Sequence, residues 1–233
     1  MSTLSIESTR RRFLGLAVGA AGTGALVAGY AAARPEKEEE EVSPAEDLMR
    51  EHGVLKRVLL VYGEAIRRID AHADLPPEPI ADSAKVIHDF IEEYHEKLEE
   101  DQIFPRFRKA NRLVELVDVL DKQHKAGRKV TAEISRLATA KALRDPDDSR
   151  RLRTAMAEFI RMYSPHGARE DTVLFPAFRE IVRGHEYDAL GEEFEKKEHQ
   201  LFGEDGFEKM VDRVASNEKA LGIYDLAQFT PRV

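Results

Sequence analysis

Apolar side chains recur at helical spacing through most of the chain. Leu48, Leu55, Leu59, Tyr62, Ile66 and Ile69 lie three, four or seven apart and line one face of a predicted helix. Its start is marked by Ser43-Pro44-Ala45-Glu46, a capping box with proline at the first helical position. Leu75-Pro76-Pro77-Glu78-Pro79 stops it, because proline lacks the amide hydrogen that a helix interior needs. The same punctuation predicts a second helix from about Asp82 to Phe104 and a third from a cap at Asn111 to about Ala142. A fourth begins at Asp145-Pro146-Asp147-Asp148. Residues from about Glu186 to Lys219 read as a fifth helix. Its Leu201, Phe202, Phe207, Met210 and Val214 form an apolar side that must pack somewhere, on the bundle end or in a homodimer contact. No segment has the alternation of a strand. The predicted fold is all-α: an up-down-up-down four-helix bundle with an additional C-terminal helix.

The chain repeats itself. Positions 95–108 and 166–179 both read His-x3-Glu-acid-x2-aliphatic-Phe-Pro-x-Phe-Arg. His52 and His124 stand at matching places upstream. A unit of two helices therefore occurs twice, with a His on the first helix and His-x3-Glu on the second.

The first residues break this pattern. Thr9-Arg10-Arg11-Arg12-Phe13-Leu14 precedes a Gly/Ala-rich apolar run ending at Ala31-Ala32-Ala33. The segment resembles a twin-arginine signal peptide with a small-residue cleavage site. An anchor retained in the membrane is the alternative for a run of that length. The resemblance implies export of a folded chain, cofactor included, to the periplasm or the cell exterior. The expected organisation is residues 1–33 as signal, 34–43 as charged linker, 44–182 as bundle, and 183–233 as C-terminal helix and tail.

Composition narrows the function. The net charge of −8 becomes more negative once the arginine-rich segment is removed, which argues against binding nucleic acid through phosphate neutralisation. No cysteine is present, so disulfides, iron–sulfur clusters and thiolate zinc sites are excluded. What remains is imidazole and carboxylate. Residues four apart share a helix face, so His95 with Glu99, and His166 with Glu170, point the same way. Four His and two Glu turned into a bundle core compensate one another by binding cations. This donor set suits iron, zinc or manganese and does not select calcium or magnesium.

These residues, with Phe-Pro after each second-helix pair, resemble the haemerythrin HHE cation-binding domain over about residues 44–182. The resemblance implies a non-haem centre of two iron ions, with zinc or manganese less favoured. It makes His52, His95, His124 and His166 terminal ligands, and Glu99 and Glu170 bridging carboxylates. Two departures separate the chain from the oxygen carrier. Arg128 stands where the carrier has a fifth His on its third helix, and the fourth helix has His-x3-Glu rather than His-x4-Asp. By ligand count each iron keeps about one open position, which favours reaction with or sensing of oxygen, nitric oxide or peroxide over simple oxygen storage. The alternatives are a di-iron oxidoreductase with turnover, or an iron-buffering or structural bundle without catalysis. Either a sensor or an oxidoreductase would need an outside signalling or electron-transfer partner. Tyr163, His199 and His88 are candidates for an additional ligand or for support behind the ligands. Packing or surface roles fit Tyr163 and His199 better, and a core or supporting role fits His88.

Overall fold

The computed structural model describes residues 42–231. The expected signal peptide, and the linker except for its last two residues, lie outside them. Seven helices and no strand occur among the described residues, and none of these helices is long and apolar enough to cross a membrane. Helix α1 runs Pro44–Asp70, with Ser43 and Glu46 forming the expected capping box. Helix α2 covers 78–109, α3 is Val114–Leu137, α4 is the short Ala140–Arg144, and α5 covers 146–181. Helices α6, His185–Phe202, and α7, Gly206–Ala220, complete the set, followed by a 3₁₀ turn at Leu226–Phe229.

Helices α1, α2, α3 and α5 each pack against two of the others and enclose the core. Val58, Val61, Tyr62, Phe90, Ile134, Leu152, Met156 and Phe159 are sealed from solvent there. Asp145 caps α5 as expected, accepting from the amides of Asp147 and Asp148.

Several boundaries differ from expectation. Helix α2 starts at Glu78, where Pro79 sits harmlessly in the first turn, and it continues past Pro105 to Lys109. The passage is made by a π turn, Glu99–Ile103, in which the Phe104 amide bonds back five residues to the Glu99 carbonyl. A wider turn makes room for the proline ring, which clashes with a carbonyl in a regular α-helix. The matching turn in α5, Glu170–Leu174, precedes Pro176 in the same way. A further π stretch, Ile87–His95, lies upstream in α2. Asn111 does not cap α3. It takes a left-handed conformation in the connecting turn, as does Leu113, and α3 begins only at Val114. The third helix also ends early, at Leu137, because Thr139 caps the separate α4.

The C-terminal region is two helices rather than one. Gly203 breaks it at φ 81°, a conformation that costs a glycine little. The α6–α7 pair covers the α1–α2 side of the bundle. Phe202 packs against Phe90 and Tyr94, while Leu190, Phe194 and Val214 are buried. Charge fixes the docking: Arg57 holds Glu218, and Asp82 takes Arg213 and Asn217. The apolar face read from the sequence is thus spent mostly within the chain, with Leu201 left exposed.

Candidate metal centre

All six predicted residues converge in the core. His52 comes from α1, His95 and Glu99 from α2, His124 from α3, and His166 and Glu170 from α5. None exceeds 4% exposure. One ligand atom from each of Glu99, His124, His166 and Glu170 lies within 4.8 Å of the others. The His52 and His95 rings pair at 4.7 Å between centroids, as the His124 and His166 rings do at 5.0 Å. His52 Nε2 stands 3.4 Å from Glu170 Oε2, and His95 Nε2 stands 3.7 Å from Glu99 Oε2.

The backbone explains how the aromatics reach this level. In a regular helix Phe104 would be turned about 140° from Glu99. The π turn takes up the extra residue, so Phe104 stacks on His124 at 5.4 Å and Phe175 on His52 at 5.6 Å. Both rings are fully buried and close the site against water.

Each imidazole is held from behind. His52 Nδ1 donates to Asp171 at 2.6 Å, His95 Nδ1 to Glu51 at 2.7 Å, His124 Nδ1 to Glu100 at 3.2 Å, and His166 Nδ1 to Gln123 Oε1 at 2.8 Å. The amide oxygen of Gln123 accepts from His166 Nδ1, so in the neutral ring Nε2 keeps a lone pair facing inward. The arrangement has a two-fold logic. The residue before each first-helix His holds the second-helix His of its own unit (Glu51 with His95, Gln123 with His166). The acid after each bridging-position Glu holds the first-helix His of the other unit (Glu100 with His124, Asp171 with His52).

The interior lacks protons for what it contains. All four carboxylate oxygens of Glu99 and Glu170 are buried and accept no hydrogen bond of acceptable geometry, although His166 Nε2 lies 3.0 Å from Glu170 Oε1. His124 Nε2 and His166 Nε2 face each other at 3.3 Å with both Nδ1 atoms occupied. Buried oxygens without donors and opposed nitrogen lone pairs are costly unless a proton or cation lies between them. Without a cation, burial and the Glu170 charge push the Glu99 carboxyl well above its usual range. Burial acts on Glu170 in the same sense, but His166 and His52 outweigh it and hold that carboxyl low. For His52, burial is overcome by Asp171 and Glu170, which raise it to about 9. Burial and the neighbouring His52 charge drive His95 well below its ordinary value. The donor set fits a metal: nitrogen and carboxylate ligands inside, hydrogen-bonded acceptors outside.

Residues 43–178 match the model of the hemerythrin HHE cation binding domain, and residues 117–230 match it a second time. The chain belongs to this family. Uncharacterized proteins of Mycobacterium bovis and Mycobacterium tuberculosis are each 46% identical to it over 232 residues, covering 95% of this chain and 91% of theirs. No solved structure matches.

Three further candidates of this HHE protein stand elsewhere. Tyr163 is buried beside His166, but its hydroxyl donates to Glu96 Oε1 at 2.6 Å. Arg128 joins that network, reaching Glu96 at 2.9 Å and Glu100 at 2.7 Å. It stands four residues after His124, and its guanidinium faces the carboxyl groups of Glu96 and Glu100 rather than the six-residue cluster. His88 is on the surface, paired with Asp89, and has neither a core nor a supporting role. Seven residues should return it to the His95 face, but the π stretch between them shifts the phase by about one residue, or 100°. His199 is about one-third exposed on α6, with Glu195 as an ion-pair neighbour at 3.9 Å. Glu198-His199 repeats the Glu51-His52 pair in sequence, yet Glu198 is the buried member, and α7 supplies no His-x3-Glu. Helical spacing does not single out the supports Glu51, Glu100, Gln123 and Asp171. Their adjacency to each candidate ligand is the signal that carried them.

Proposed function

We propose that this chain is a non-haem di-iron protein that reacts with or senses a small molecule such as oxygen, nitric oxide or peroxide. The observation that carries the reading is the set of four donor-less oxygens on Glu99 and Glu170, flanked by inward Nε2 atoms. His52 and His95 would hold one ion, His124 and His166 the other, and the Glu99 and Glu170 carboxylates would be shared between them. Bound iron would supply one-electron redox chemistry and open positions for a small ligand. The protein's own contribution is to orient four imidazoles, to keep their Nδ1 protons on outward acceptors, and to exclude water with Phe104 and Phe175. Complete burial of the six residues favours ligands of a few atoms over larger substrates. The up-down-up-down order of the four core helices is part of the same reading, since it brings both two-helix units to one level. Export as a folded chain is proposed from the Thr9–Leu14 motif, with a separate electron-transfer or signalling partner outside the cytoplasm.

Metal analysis and an optical spectrum test it. The chain purified without oxygen in the presence of iron should hold two irons and develop near-ultraviolet bands on exposure to air. Reversal on removing oxygen identifies a binder, and irreversible change a redox site. One zinc per chain, or no metal, overturns the di-iron reading.

A further inference from the structure

A second group of oxygens gathers behind His95. Asp47 and Glu51 lie one turn apart on α1, and Glu198 reaches them from α6. One carboxylate oxygen of each lies within 4.8 Å of the others. Glu51 is 1% exposed, and its Oε2 is committed to His95 Nδ1 at 2.7 Å. Its Oε1 is buried and accepts no hydrogen bond of acceptable geometry, since the nearby Tyr94 hydroxyl donates to the Phe194 carbonyl at 3.4 Å, which leaves Oε1 as the oxygen Glu51 has to offer. Glu198 is also buried, and its Oε1 accepts the Phe207 amide at 2.8 Å. Gly206 makes that approach workable, since a side chain there would start 2.6 Å from the same oxygen. The Asp47 side chain is 18% exposed and forms the outer edge of the group. Arg50 stands 3.5 Å from Asp47 and lies over the Phe207 ring.

Carboxylates crowded at this distance in a buried place repel one another strongly, and the donor-less Glu51 oxygen adds a desolvation cost. A divalent cation relieves both. The donor set is oxygen only, unlike the nitrogen-rich centre next to it, and this chemistry selects hard ions such as magnesium, calcium or manganese(II).

We propose that Asp47, Glu51 and Glu198 form a separate site for a hard divalent cation. It opens at Asp47 and abuts the Glu51–His95 hydrogen bond, so that an ion held there is staged for the six-residue centre. The staging role rests on the metal-binding reading given above; the binding itself does not.

Manganese(II) titration of the metal-free full chain, followed by electron paramagnetic resonance and metal analysis, is the test. Glu99→Gln/Glu170→Gln disables the central site and should leave one manganese bound. Adding Asp47→Asn/Glu198→Gln should abolish it, and Asp47→Asn alone, at the solvent edge, should weaken it at least tenfold. In the otherwise native chain, Asp47→Asn/Glu198→Gln should slow filling of the central site about tenfold without lowering its final content. No manganese in a folded Glu99→Gln/Glu170→Gln variant overturns the site, and an unchanged filling rate overturns the staging role. A native chain that binds a single manganese, lost with Asp47→Asn/Glu198→Gln, would sink the di-metal reading and uphold this one.

Discussion

Gly127 on α3 lies directly under the Tyr163 hydroxyl of α5: a methyl group built on it would sit 2.0 Å from that oxygen and 2.8 Å from the ring carbon bearing it. The glycine is what lets the phenol reach Glu96. Gly127→Ala should therefore destabilise the protein by about 1–3 kcal/mol, even though alanine is the better helix former. Tyr163→Phe in the same chain, lacking the clashing oxygen, should recover part of the loss. Chemical denaturation of the wild type and the two variants checks this, and an unaffected single variant would refute the close approach.

The bridging assignment predicts a specific failure. Glu99→Ala or Glu170→Ala should abolish binding of two metals while leaving a helical, cooperatively folding chain. Circular dichroism and metal content measured on one preparation decide it. His88→Ala is the control. Its side chain is exposed and paired only with a neighbouring acid, so metal content should be unchanged.

The groups behind the imidazoles should matter almost as much as the ligands. Gln123→Ala and Asp171→Ala each remove the acceptor that orients one ring, and each should weaken metal binding by roughly 10–100-fold. Competition with a chelator of known affinity measures it. Equal affinity in wild type and variants would show that packing, against Phe175 for His52 and against Tyr163 and His124 for His166, suffices to hold the rings.

Glu96 sets a pH dependence in the metal-free protein. Burial raises its carboxyl to about 8, with Tyr163 and Arg128 pulling the other way. The unfolded chain ionises this group near its ordinary value, so between roughly pH 4.5 and 8 the native state holds the extra proton. Its contribution is thus fully present at low pH and is lost as pH rises towards 8, by as much as roughly 4 kcal/mol. Glu96→Gln should flatten that fall. Urea denaturation of metal-free wild type and variant at pH 5 and pH 8.5 gives the comparison, and parallel losses in both would assign the dependence to other groups.

The helices and the six converging residues were legible because two kinds of signal agreed: apolar spacing and the repeat of His-x3-Glu with Phe-Pro. The supports were not. Glu51, Glu100 and Asp171 look in sequence like the many acids on solvated faces, such as Glu93 and Glu192. Adjacency to a candidate ligand sets them apart, but only the packed partner shows which imidazole each one holds. The π turns left no mark in spacing rules built on one helical period, which is why His88 was misplaced and α2 was ended too soon. Gly203 and Gly206 did announce the break between α6 and α7, and the apolar pattern running through them hid it.

The crossing of supports between the two units has a consequence for assembly. A nascent chain that has delivered only α1 and α2 holds His52 without Asp171 and Glu99 without an opposing carboxylate. Nothing in that half is ready for an ion, and the second half alone lacks Glu100 behind His124. On the di-iron proposal, capture of ions by all six residues would be a checkpoint passed only after α5 has docked, and a filled centre would mark a completed four-helix core.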